Sequence, residues 1–80
     1  MEYKPVYTQE DVAELLTWFE ENAERLPETM ALGVEINIPD VRRTVDAYCR
    51  MARVHGEDRA FSGQIYTLMR IRDEVIKHEQ

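Results

Sequence analysis

The sequence predicts a mostly α fold: a compact three-helix bundle with helices over about residues 9–25, 41–55 and 59–78, and an extended segment over about 30–38 between the first two. Three observations predict it. Apolar residues recur with helical periodicity in three separate stretches, capping side chains stand ahead of them, and the run between Pro27 and Pro39 changes to a period of two. At 80 residues the chain is expected to be one domain, residues 1–80, with a thin core and little room for an enclosed active site. The alternative architecture is a helical hairpin that completes its core only as a dimer.

The first helix opens on Thr8-x-x-Asp11, a version of the capping box, with Tyr7 and Val12 in the two positions of a hydrophobic staple. Gln9, Glu10 and Asp11 then put polar and negative groups at the positive end of the helix dipole. Val12, Leu15, Leu16, Phe19, Ala23 and Leu26 share one face, and Pro27 stops the helix at about Arg25 or Leu26. Glu10, Glu14, Glu20, Glu21 and Glu24 lie on the other side. Trp18 falls on the flank beside Asp11, Glu14 and Asn22. Either a loop or the N-terminal arm (Tyr3, Pro5) folds over it, which is the preferred reading, or it is an exposed aromatic anchor for a partner.

Between the two prolines, Met30, Leu32, Val34, Ile36 and Ile38 alternate with Ala31, Gly33, Glu35 and Asn37, the pattern of an extended strand with one apolar face. A lone strand cannot satisfy its own backbone groups. In order of preference, it covers the helices as an extended loop, pairs with residues 3–7, or pairs with its copy in a second molecule.

Asp40 is the natural N-cap of the second helix, whose core face is Val41, Val45, Tyr48 and Ala52, with Cys49 and Met51 on either side and Gly56 as the stop. The third helix puts Phe61, Ile65, Leu68, Met69, Val75 and Ile76 on one face. Its start has two readings. Ser62 is the N-cap with Gly63 the first helical residue, or Asp58 is the N-cap and Phe61 already lies on the core face. The fit of Phe61 to the stripe favours Asp58, and Gly63 then faces roughly 160° away from the core, where another chain could approach closely.

The net charge of −6 is unevenly spread. Residues 1–40 hold ten acidic side chains against Lys4 and Arg25, whereas residues 41–80 hold eight basic against six acidic. Helices docking within one chain would satisfy this asymmetry, and so would two chains pairing or a charged partner; the first is the reading adopted. No apolar run is long enough to span a bilayer, and MEYKPVY lacks a signal-peptide pattern. A cytoplasmic setting with no membrane partner is the expectation, and the single Cys49, a half-buried thiol on an amphipathic helix, agrees with it.

On the second helix Arg42, Arg43, Arg50 and Arg53 project into an arc of roughly 100° opposite the core face, a stripe able to clasp phosphates or carboxylates. Asp46 sits within that stripe at i+4 from Arg42 and i−4 from Arg50, which makes a solvated ion-pair face the preferred reading. Nucleic acid is disfavoured because the chain is acidic and carries no motif for base stacking. Arg72 lies at the centre of the third helix's apolar face, where it is expected to snorkel and form a structural ion pair with Asp40 or a carboxylate of helix one. His55 and His78 end helices, with no His or Cys at ligand spacing, so no catalytic residue, metal site or cofactor is predicted.

The combination WFEENAERLP, EINIPD and FSGQIYTLMRIR resembles a family of short, uncharacterised bacterial proteins, a domain of unknown function. The resemblance rests on Trp18-Phe19-Glu20, Arg25-Leu26-Pro27, Ile38-Pro39-Asp40 and Phe61-Ser62-Gly63 and covers roughly residues 8–76. It implies a compact helical domain with no activity or ligand to carry over. Arg59-Ala60 departs from the proline the family often places before Phe-Ser-Gly.

The functional expectation is a small non-enzymatic protein–protein interaction module that binds a protein partner or itself as a homodimer. Its candidate contacts are Trp18, Leu32, Val34, Ile36, Ser62 and Gly63. The alternative is an accessory nucleic-acid or phosphate-binding module using Arg42, Arg43, Arg50 and Arg53.

Overall fold

A computed structural model describes residues 6–79. Helix α1 spans Gln9–Glu21, strands β1 and β2 are Met30–Leu32 and Ile36–Ile38, helix α2 spans Val41–His55 and helix α3 spans Ser62–His78. The result is a mostly α fold in which α3 packs against α1, α2 and β1. Its core joins Tyr7, Val12, Leu15 and Phe19 to Val41, Val45, Cys49 and Ala52, to Ile65, Leu68, Ile71 and Val75, and to Met30, Leu32 and Ile38 of the strands.

α1 starts as its sequence dictates. The Thr8 hydroxyl accepts from the Asp11 amide at 3.1 Å and the Asp11 carboxylate accepts from the Thr8 amide at 3.1 Å, so both halves of the capping box form. Tyr7 and Val12, the staple pair, are both buried. The α-helix ends earlier than expected, at Glu21, and the chain continues as a 3-10 turn over Ala23–Arg25. Asn22 breaks the helix by leaving helical dihedrals and returning its side-chain amide to the Trp18 carbonyl at 2.8 Å, and Pro27 allows no recovery. Ala23 is therefore exposed rather than part of the core stripe.

The extended segment is a hairpin, an arrangement outside the three expected. β1 pairs antiparallel with β2 in the register Met30↔Ile38, Ala31↔Asn37, Leu32↔Ile36. The physical reason lies in parity. A turn of three residues, Gly33 to Glu35, sets Leu32 directly opposite Ile36, so positions 30, 32, 36 and 38 keep one face although the chain reverses between them. Period-two alternation is thus the same for one long strand and for this hairpin. Gly33 takes a φ of +80°, the left-handed conformation the reversal requires. The amide of Val41 donates to the carbonyl of Glu28 at 3.0 Å and ties the two ends of the segment together. The expected pairing with residues 3–7 falls partly outside the described residues.

Asp40 caps α2 by accepting from the Arg43 amide at 3.1 Å. The core face of α2 is Val41, Val45, Cys49 and Ala52; Tyr48 is half-buried against the core and Met51 is 47% exposed, so the buried stripe is turned toward Cys49. Asp58 starts the next element by accepting from the Ala60 amide at 2.9 Å, and a 3-10 turn over Arg59–Phe61 leads into α3. Phe61 is buried, as the Asp58 reading requires, but the α-helix begins at Ser62 and not at about 59, with Phe61 in the N-cap position and neither Asp58 nor Ser62 capping it, because the 3-10 turn intervenes. The buried face of α3 centres on Ile71, which is wholly inaccessible, and not on Arg72; Met69 and Ile76 are only half-buried. β1 packs on α3 besides α1 and α2, and the buried arc of α3 includes Ile71.

Gly56 ends α2 where it crosses α1. A Cβ there would lie 2.8 and 3.0 Å from the two γ-methyl groups of Val12 and 2.5 Å from the Ala52 carbonyl oxygen. Only a residue without a side chain allows the two helices to meet this closely.

Candidate functional site

The structure separates the candidate contacts into buried and displayed ones. Leu32 and Ser62 are each 3% exposed, so neither offers a side chain to a partner. Val34, at the hairpin apex, is 99% exposed, and Ile36 is 48% exposed. Gly63 faces open space with nothing within 4 Å of where a Cβ would stand. The hydroxyl of Thr67 donates to its carbonyl at 3.0 Å.

Trp18 is half-buried against the core. Its ring meets Phe19 edge-on at 5.1 Å, and the Arg25 guanidinium stacks over it at 5.7 Å. Arg25 also clasps the Glu79 carboxylate through two nitrogens, the Nε bond measuring 2.9 Å, which pins the end of α3 to the end of α1. That hydrogen bond raises the Arg25 pKa and lowers that of Glu79. Tyr3 and Pro5, expected to cover the Trp18 ring, lie outside the described residues.

Around Trp18 an open groove of about 530 Å³ is lined by Glu10, Glu14, Thr17 and Glu21 of α1 and by Arg72. The expected pairing of Arg72 with Asp40 does not form, since Asp40 is engaged as the cap of α2. Arg72 is 21% exposed in its side chain, its Nε lies 3.8 Å from the adjacent Asp73, and its guanidinium borders the carboxylates of α1 without a close partner among them. Glu10, Glu14 and Glu21 form no ion pair among the described residues. The sequence places these carboxylates only on the side of α1 away from its core face. The signal that singles them out is the spacing of positions 10, 14, 17 or 18, and 21, which lines them along one helical stripe with the only tryptophan in it.

The arginine stripe of α2 divides. Arg50 bonds Asp46 at 3.3 Å and Arg53 bonds Glu20 at 3.4 Å, while Arg42 and Arg43 have no carboxylate partner among the described residues. Arg53 and Glu20 together strap the cleft between α1 and α2. On one side is a groove of about 430 Å³ reaching Gly56 and Val54, and on the other a groove of about 250 Å³ reaching Arg42, Asp46 and Cys49. Burial pushes the Cys49 thiol up to about 11, against a smaller opposing effect of Arg53. Among the described residues no group of three or more His, Cys, Asp or Glu side chains is arranged to hold a metal ion, and no helix is long and apolar enough to cross a membrane.

No curated protein and no solved structure matches the chain. Residues 10–77, from the first turn of α1 to the last turn of α3, match the family described as Domain of unknown function (DUF6965), and the chain belongs to that family.

Proposed function

We propose that this protein is a small non-enzymatic protein–protein interaction module and that the outer face of α1 is its docking surface. The observation that carries this reading is a half-buried tryptophan set among three carboxylates, Glu10, Glu14 and Glu21, that have no ion-pair partner among the described residues. An aromatic ring held by its neighbours gives contact area at little entropic cost, and the surrounding carboxylates select a basic partner. Val34 and Ile36 at the hairpin tip are exposed apolar surface outside this face. A cytoplasmic setting suits the single free thiol. The phosphate-binding alternative has less support, because the chain is acidic overall and Asp46 lies within the arginine stripe.

Trp18 is the only tryptophan in the chain, so its emission reports on this face alone. Emission is followed on dilution of the protein and on titration with a short arginine-rich peptide. The reading requires a shift in at least one of the two, and a wavelength unchanged in both would refute it.

A further inference from the structure

The docking-face reading leaves the partner open; building on it, we infer that the partner is a second copy of this chain, whose α2 arginine face lies antiparallel across the acidic α1 face. Charge is the first argument. The acid-rich first half is only slightly neutralised within the chain, where Glu20–Arg53 and Arg25–Glu79 are the ion pairs joining the two halves among the described residues. Among the described residues, carboxylates at Glu10, Glu14 and Glu21 have no ion-pair partner on one helix and guanidiniums at Arg42 and Arg43 have none on another, so each protomer carries both signs on separate faces.

Spacing is the second. Glu10, Glu14, Thr17 and Glu21 follow one another at intervals of four, three and four residues, and so do Arg43, Ala47, Arg50 and Val54. Both sets lie away from the core, all exposed except the half-buried Ala47. Laid antiparallel, the stripes match: Glu21 meets Arg43 and Glu14 meets Arg50, since each pair of like charges is separated by seven residues, about 10 Å along its helix. Between them Thr17 and Trp18 fall opposite Ala47, a small side chain on which the indole can lie flat between two guanidiniums. Val54, 74% exposed, is covered by the first turn of the opposing α1. Arg50 exchanges Asp46 for Glu14; its present pair is exposed on both sides and costs little to give up. Because every protomer presents both faces, a two-fold pair contains the contact twice.

Charge reversal followed by sedimentation equilibrium tests this. The parent protein is expected to associate at low ionic strength and to dissociate as salt is added. Glu14→Arg and Arg50→Glu, each checked by circular dichroism to be folded, should each weaken association at least about tenfold, and an equimolar mixture of the two should regain it, because each restores the other's lost pair. A second set, Glu21→Arg with Arg43→Glu, repeats the test at the other end of the stripe. A parent that stays monomeric at every concentration, association indifferent to salt, or a mixture no stronger than its components would each overturn the inference. If the chain is monomeric but Trp18 still responds to the arginine-rich peptide, the docking face stands and only the second copy is lost.

Discussion

Replacing Gly56 with alanine puts the packing of α1 on α2 under a sharp test. The backbone at Gly56 is helical, with φ −60° and ψ −28°, so alanine suits it and by reducing unfolded-state entropy would normally add about 0.4–1 kcal/mol. Here the new methyl would stand 2.8 and 3.0 Å from the Val12 γ-carbons, whereas carbon atoms rest at roughly 3.5–4.0 Å. Val12 is 5% exposed and held inside the staple, and the Ala52 carbonyl, 2.5 Å away, already accepts the Gly56 amide. Neither neighbour yields freely. Overpacking of this kind costs about 1–3 kcal/mol, so the net loss is about 1–2 kcal/mol after the backbone gain. In a domain this small that lowers Tm by about 4–15 °C. Thermal and urea unfolding followed by circular dichroism measure it. Gly63→Ala is the control, the same chemical change at a helical position facing open space, and it should stabilise by about 0.5–1 kcal/mol. Opposite signs for the two glycines are the prediction. A Gly56→Ala protein as stable as its parent would mean that α2 does not meet Val12 as described.

The hairpin gives a second contrast: Leu32→Ala, buried, should cost about 2–5 kcal/mol, whereas Val34→Asp at the exposed apex should stay within about 0.5 kcal/mol of the parent; equal effects in urea unfolding would contradict the register. The folded-state pKa of Glu79 is depressed by the hydrogen bond from Arg25, so its contribution is fully present above the unfolded value of about 4.5 and is lost as pH falls through the lower folded value. Glu79→Gln should therefore be less stable than the parent near neutrality and converge with it in acid; a constant gap across that range would refute the assignment. Cys49, buried with its pKa near 11, should react with a thiol reagent at neutral pH far more slowly in the folded protein than in denaturant, and rapid labelling of the native chain would place it outside the core.

Helix starts were the most legible feature of the sequence, because caps are local chemistry. Thr8 with Asp11, and Asp40, each need only a side chain and an amide three residues on, and each forms the bond its sequence predicts, whereas Asp58 caps the 3-10 turn ahead of α3 and not α3 itself. The hairpin was hidden by its own parity, since an odd-numbered turn preserves the alternation that describes a straight strand. Gly33 was the one residue that marked the reversal. On α3 the expected centre at Arg72 gave way to Ile71, on a helix that also packs against β1. The candidate surface was half legible. Trp18 stood out by composition, but its significance depends on which carboxylates stay unpaired, and ion pairing between distant segments such as Arg53 and Glu20 cannot be read from local spacing. Burial removed Leu32 and Ser62 for the same reason.

In the proposed pair, the docking face on α1 of one copy receives α2 of another. A concentration series of amide NMR spectra at low ionic strength tests this residue by residue. Resonances of Glu10, Glu14, Trp18 and Glu21 should move together with those of Arg43, Ala47, Arg50 and Val54, while the hairpin tip at Val34 stays fixed. Movement confined to the tip, or spectra unchanged over the whole series, would contradict it.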